Sequence, residues 1–183
     1  MIDPAKTSCV IVTRGNVDLS EIRASLPFED VVIWDNSENN EMVFGRYCGA
    51  ERARNDIIAV QDDDAVIEDW PAILAEYKPG VVACNMGPAH RAFYQPIGLA
   101  LVGFGAVFDR SLIQPTMDRY YQRFPKDELF MRECDRVFTA LNPLNVITVP
   151  YRNLPHEETT QRMWRERRHV DDLTAIRRRI AAL

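Results

Sequence analysis

The chain reads as an α/β protein: a single domain with a mostly parallel central sheet flanked by helices, and a basic helical tail at its C-terminus. Two observations predict this. Short apolar runs of four to six residues alternate with segments of helical pattern through the first half, the order of a parallel sheet with crossover helices. At 183 residues, 46% hydrophobic and 27% charged, the chain also has the size and composition of one ordinary globular domain with its own core.

The elements follow in order. Ser8-Cys9-Val10-Ile11-Val12-Thr13 is a first buried strand, ending at Arg14-Gly15-Asn16. Asp18 caps a helix that runs through Ser25 and is closed by Pro27. Val31-Val32-Ile33-Trp34 is a second strand, followed by the turn-forming stretch Asp35 to Asn40. Phe44 to Arg54 reads as helix and Ile57-Ile58-Ala59-Val60-Gln61 as a third buried strand. Trp70 to Tyr77 is helical, and Gly80 to Asn85 is a fourth strand.

The second half is less regular. Met86 to Pro96 reads as a loop, and the glycine-punctuated apolar run from Ile97 to Phe108 as a strand with a bend or bulge. Arg110 to Arg123, interrupted by Pro115, and Asp127 to Leu141 read as helices. Val146 to Val149 is a last strand ending at Pro150. Residues 1–160 then form the domain, with 161–183 an arginine-rich helical tail packed on it or extending from it.

The net charge of −5 hides an asymmetry. Residues 1–125 carry 11 basic and 18 acidic side chains, whereas 126–183 carry 11 basic and 9 acidic. Seven arginines (Arg162, Arg165, Arg167, Arg168, Arg177, Arg178 and Arg179) crowd the last 23 residues. A basic tail on an acidic body suits an anionic partner, DNA among them, or a solvated terminal helix. No apolar stretch reaches transmembrane length, and Met1-Ile2-Asp3-Pro4-Ala5-Lys6 does not open a signal peptide. With four scattered cysteines and no CxxC spacing, a cytoplasmic protein is expected, in the host cytoplasm if viral.

The densest chemical signal is Asp62-Asp63-Asp64, directly after the third apolar run. A strand interior does not tolerate three unpaired negative charges, so the cluster belongs where the strand leaves the sheet. In open α/β sheets that edge is where ligands bind. Carboxylates at alternate positions 62 and 64 would share one side and offer hard oxygens to Mg²⁺ or Mn²⁺. A solvated acidic turn is the competing explanation.

In this order of elements the chain resembles the GT-A (Rossmann-like) fold of nucleotide-sugar-dependent glycosyltransferases. Asp62-Asp63-Asp64 resembles that family's DxD motif, and Gly103-Phe104-Gly105 its glycine-containing loop near the acceptor. Lys126-Asp127-Glu128 resembles its acidic xED motif, here with Asp-Glu in place of Glu-Asp. His156 resembles the histidine that closes the metal site. The resemblance covers about residues 8–156 and rests on the order of the motifs more than on any one of them.

It implies a metal-dependent hexosyl transfer from a nucleoside-diphosphate sugar, a UDP-sugar foremost, to a hydroxyl acceptor such as a glycan or a modified base in DNA. Asp64 and Asp62, with His156, would hold Mn²⁺ or Mg²⁺. Thr13, Arg14, Gly15, Asp35, Asn36, Arg54, Asp62 and Asp63 would bind the donor, with Arg14 and Arg46 or Arg54 on phosphate. Asp127 or Glu128 would take the acceptor's proton. Helix capping explains a carboxylate at positions 127–128 equally well, and ordinary turn chemistry explains Asp35-Asn36-Ser37. His90 has a weaker claim to face substrate. Two other readings stand beside this one: a nucleotidyltransferase acting on sugar phosphates, and a non-catalytic nucleotide-sugar-binding module.

Overall fold

In the computed structural model, which describes residues 2–154 and 169–183, strand β1 (Thr7–Thr13) is the hub of the sheet. It pairs in parallel with β2 (Asp30–Asp35) on one side and β3 (Ile57–Asp62) on the other. Beyond β3 lie β6 (Ala106–Asp109), β5 (Val82–Asn85) and β7 (Leu144–Ile147), giving the order β2-β1-β3-β6-β5-β7. β6 is antiparallel to both neighbours, and the other five strands run one way. The sheet is therefore mostly parallel, as the alternating pattern predicts. A second sheet of two short antiparallel strands, β4 (Ala65–Ile67) and β8 (Tyr151–Asn153), stands beside it.

Strand alternation divides the core in two. Val10, Ile58, Val60 and Phe108 face α2 (Gly45–Glu51), α5 (Ile113–Tyr121) and α6 (Glu128–Leu141). Cys9, Ile11, Ala59 and Val107 face α1 (Ser20–Ser25) and α3 (Trp70–Ala75) through Ile22, Trp70, Ile73 and Leu74. Both faces are covered, which is why the strands read as continuous apolar runs. The last helix, α7 (His169–Ala181), adds Leu173 and Ile176 to the first of these cores. Among the described residues no helix is long and apolar enough to cross a membrane.

Three local expectations need correction. The run Ile97 to Phe108 is extended only from Ala106 onward. Its first part is a loop that buries Leu99, Ala100 and Val102 in the core, and Gly105, at φ +97°, takes a conformation few other residues adopt. The run is apolar because it packs, not because it is a strand. Met86 to Pro96 is not a plain loop: Pro88–Tyr94 forms α4, with its proline at the start where no N–H is needed. The last strand of the main sheet is Leu144–Ile147, two residues earlier than the pattern of Val146 to Val149 suggests. Pro115 falls in the first turn of α5, where its missing donor costs nothing.

Candidate functional site

Because β2 and β3 flank β1 in parallel, the chain reverses its winding between β1 and β3. That reversal is the topological switch point, where α/β sheets open a crevice beyond their strand ends. A cleft of about 640 Å³ lies there. Thr13 and Arg14 from the exit of β1 and Asp62, Asp63 and Asp64 from the exit of β3 line it together.

The three aspartates occupy three different environments. Asp62 is the last residue of β3, and its Oδ1 accepts from Arg46 Nη2 at 2.8 Å. Its backbone N–H donates to the carbonyl of Gly103 at 2.7 Å, and a Cβ on Gly103 would overlap the Asp62 carboxylate. Glycine at 103 thus makes room for that carboxylate. Asp63 turns inward; burial pushes its pKa up to about 6, helped by the charges of Asp62 and Asp64 and opposed by a hydrogen bond with Thr13. Asp64 lines the cleft, and its carbonyl accepts from the Leu154 N–H at 2.8 Å, tying the turn to the end of β8. The chain turns at Asp63-Asp64 into β4, so the triplet does not continue as a strand with residues 62 and 64 on one face.

The neighbouring turns carry structural work. Gly15, at φ +78°, brings its backbone against the Asp35 carboxylate. Asp35 is exposed and caps its own turn through the Ser37 N–H at 2.8 Å. Asn36 lines the cleft, and most of its amide is engaged: Oδ1 accepts from Trp34 Nε1 and from the Glu41 N–H, and Nδ2 donates to the Met42 carbonyl. These bonds hold Met42 in a left-handed conformation at φ 53° on the cleft wall. Asp35 and Asn36 therefore shape the loop through these bonds.

Arg54 lies at the opposite edge. It precedes β3, pairs with Asp30 at the start of β2 (Nη2 to Oδ1, 3.4 Å) and is absent from the cleft lining. A six-residue strand, about 20 Å long, separates it from the aspartates. A buried arginine does reach the aspartates: Arg46 on α2. Its Nε lies 3.5 Å from Asp135 Oδ1, and its Nη1 is buried with no hydrogen-bond partner among the described residues. Burial works against this charge, but Asp135 and Asp62 outweigh it and keep the guanidinium protonated.

Asp127 and Glu128 also lie outside the cleft lining. Asp127 caps α6, accepting from the Phe130 N–H at 3.0 Å, and pairs with Arg179 of α7. Glu128 is more than half exposed and lies 3.4 Å from Arg132 one turn on. His156 lies outside the described residues, as do Arg162, Arg165, Arg167 and Arg168 of the tail.

What α6 does bring to the cleft is a set that sequence pattern conceals: Arg132, Glu133, Asp135 and Arg136, each at most 8% exposed. Four charges along one side of an amphipathic helix read as a solvated face; here that face closes the cleft. Asp135 accepts from the Tyr47 hydroxyl at 2.9 Å. Burial, with the charge of Asp62, pushes its pKa up to about 6 against the pull of Arg46 and Tyr47. Arg136 pairs with Glu133 and donates through Nη2 to the Tyr94 hydroxyl at 3.0 Å. Arg132 reaches Asp172 of α7 at 3.3 Å. His90, Phe93, Tyr94 and Phe104 complete the lining as an aromatic wall.

Among the described residues no three His, Cys, Asp or Glu side chains converge into a full metal-ligand set. Two carboxylates on the cleft, Asp62 with one oxygen on Arg46 and Asp64, nevertheless match the donors of a hard dication whose shell is completed by phosphate oxygens and water. Among the described residues the lining carries six carboxylates (Asp62, Asp63, Asp64, Glu133, Asp135 and Asp172) against four guanidiniums (Arg14, Arg46, Arg132 and Arg136). No protein-family model matches the chain, and no curated protein matches it in sequence.

Proposed function

We propose that the chain is a metal-dependent glycosyltransferase that moves a sugar from a nucleoside-diphosphate sugar, a UDP-sugar foremost, to a hydroxyl of a glycan or of a modified base in DNA. The observation that carries this reading is the acidic turn at the exit of β3, opening at the β1/β3 switch point into a cleft where, among the described residues, carboxylates outnumber guanidiniums. A diphosphate alone would be repelled by that excess, whereas a diphosphate with a divalent cation is balanced by it.

In this reading Asp62 and Asp64 hold Mg²⁺ or Mn²⁺, and Arg46 fixes the Asp62 carboxylate in place. The bound ion supplies Lewis-acid stabilisation of charge on the departing diphosphate. Thr13 and Arg14, with the loop that Asn36 organises, border the nucleotide, and Arg14 is placed to meet phosphate. In an inverting transfer the acceptor proton passes to Asp135, whose Oδ1 is engaged by Tyr47 while no described donor reaches Oδ2. A carboxylate of pKa about 6 is ionised at neutral pH yet still basic enough to share a proton. A cytoplasmic location completes the proposal.

The test is calorimetric titration of UDP and other nucleoside diphosphates with and without Mn²⁺, followed by assay of UDP-sugar hydrolysis. Metal-dependent binding together with slow hydrolysis supports the transferase. Binding without hydrolysis in the presence of any acceptor would favour a binding module, and release of pyrophosphate from a nucleoside triphosphate and a sugar phosphate would favour a nucleotidyltransferase.

A further inference from the structure

Resting on the transferase reading, we propose that the half of the cleft walled by α4 and the 99–105 loop is a saccharide-acceptor subsite, in which a neutral pyranose ring lies against the aromatic wall and its hydroxyls reach Glu133 and Arg136.

The wall is a set of aromatic rings in contact, stacked, tilted and edge-on. His90 stacks on Phe104 with ring centroids 4.8 Å apart and planes 19° from parallel, and Phe104 continues onto Tyr151 at 4.7 Å. Phe93 stands edge-on to Tyr94 at 4.9 Å and is 56% exposed, in a chain that otherwise buries most of its large apolar side chains. Burial lowers the pKa of His90, so its ring is a neutral stacking surface at pH 7. Aromatic faces carry negative quadrupolar potential and attract the polarised C–H face of a pyranose.

Polar groups sit at the foot of this wall. Arg136 is buried; its Nη2 is on the Tyr94 hydroxyl and its Nη1 on Glu133, while Nε is buried with no partner among the described residues. A buried donor without an acceptor is costly, and a ligand oxygen in reach would recover that cost. A saccharide hydroxyl serves both charges at once, accepting from a guanidinium and donating to a carboxylate. The carboxylate turn adjoins the wall, because Asp62 bonds to the Gly103 carbonyl, so a ring seated there lies beside the proposed reacting centre.

Charge selects between stacking ligands. A nucleobase would also stack, but it arrives on a phosphate backbone, and among the described residues the lining already has more carboxylates than guanidiniums. At the cleft itself the described part of the tail does not offset this: Arg179 is committed to Asp127 and Tyr120, Arg177 and Arg178 are exposed outside the lining, and α7 presents Asp172 to the cleft. A neutral ring brings no such penalty.

The test is saturation-transfer NMR on the full chain. The probes are methyl glucosides, galactosides and mannosides, maltose and cellobiose, and a short single-stranded oligodeoxynucleotide, each with and without UDP and Mn²⁺. Expected is saturation concentrated on the C–H protons of one ring face of at least one saccharide. Phe93→Ala, at an exposed position, should weaken that saccharide by about three- to tenfold with UDP affinity unchanged, and Phe93→Trp should restore it. Binding of UDP with no saturation of any saccharide, an unchanged saccharide affinity in Phe93→Ala, or saturation of the oligodeoxynucleotide alone would overturn the subsite. Saccharide binding without any nucleotide binding would overturn the transferase reading and leave the saccharide site standing. Binding of neither would sink both.

Discussion

Arg179 closes a two-pronged ion pair on Asp127, Nη1 to Oδ1 at 3.0 Å and Nη2 to Oδ2 at 2.7 Å, while the same carboxylate caps α6. One side chain thus starts the helix that lines the cleft and anchors the helix that covers it. This double duty accounts for the carboxylate at position 127 without chemistry. Asp127→Ala should lower stability by about 1–2 kcal/mol, the sum of a lost cap and a partly exposed pair, and Asp127→Asn by less because the amide oxygen still caps. Urea denaturation measures both. Nucleotide affinity should be unchanged, and loss of turnover in Asp127→Asn at full stability would return the residue to the reaction.

The same pair gives an acid dependence of definite sign. The hydrogen bonds from Arg179, aided by the Phe130 N–H, hold Asp127 below the ordinary carboxylate range against its partial burial. A depressed carboxylate contributes stability that is fully present above its unfolded value, about 3.9, and is lost as pH falls through the lower folded value. Arg179→Gln should therefore move the acid-unfolding midpoint of the chain upward. An unshifted midpoint would mean that α7 is held by its apolar contacts and the Arg132–Asp172 pair without help from Arg179.

Removal of one charge tests the metal. Asp64→Asn keeps the side-chain volume on the cleft but replaces a hard anionic donor with an amide. In calorimetry the gain in UDP affinity from Mn²⁺ should shrink by about tenfold or more, or roughly 1.4 kcal/mol, while metal-free affinity holds or improves. Equal metal dependence in both proteins would leave the turn as a solvated acidic loop.

How far the sequence discloses this arrangement depends on what each residue faces. β1 and β3 are plain in it because both of their faces are covered, so burial writes an unbroken apolar run, and the partly buried β2 keeps the same apolar pattern. The position of Asp62–Asp64 follows from the end of that run. The rest is obscured where one pattern has two causes. Ile97–Phe108 is apolar through packing around Gly103 and Gly105, which mimics a strand. Pro88 and Pro96 bracket α4 and make a helix look like a turn. β4 and β8, of three residues each, are too short to show a period. The charged face of α6 looks solvated, since no local signal tells that the cleft and Asp172 of α7 enclose it.

Gly103 offers a test that involves no charge at all. A methyl group there would overlap the Asp62 carboxylate, so Gly103→Ala must displace Asp62 from Arg46 or push the 99–105 loop outward. Overpacking of this kind costs about 1–3 kcal/mol. Because Gly103 bears on the metal only through the placement of Asp62, Mn²⁺-assisted UDP binding should weaken more than metal-free binding. Near-normal stability and metal dependence in this variant would show that the loop yields freely and that Gly103 does not set the carboxylate.

The most direct trial of the chemistry is the pH profile of transfer. Burial pushes Asp135 up to about 6, reinforced by the charge of Asp62. A base acts when deprotonated, so turnover should climb as pH rises through about 6 and level off above it. Asp135→Asn keeps the shape of the side chain and can still meet the Tyr47 hydroxyl. If Asp135 is the base, this variant should lose about 10²- to 10⁴-fold in turnover, and the acidic limb should vanish from its profile. Should Asp135 act only as the counter-charge of Arg46, the outcome differs in kind: stability and UDP affinity fall together because Arg46 is left with one charged partner, Asp62, and the residual turnover keeps its acidic limb. Measuring turnover, UDP affinity and denaturation midpoint on the same variant separates the two roles.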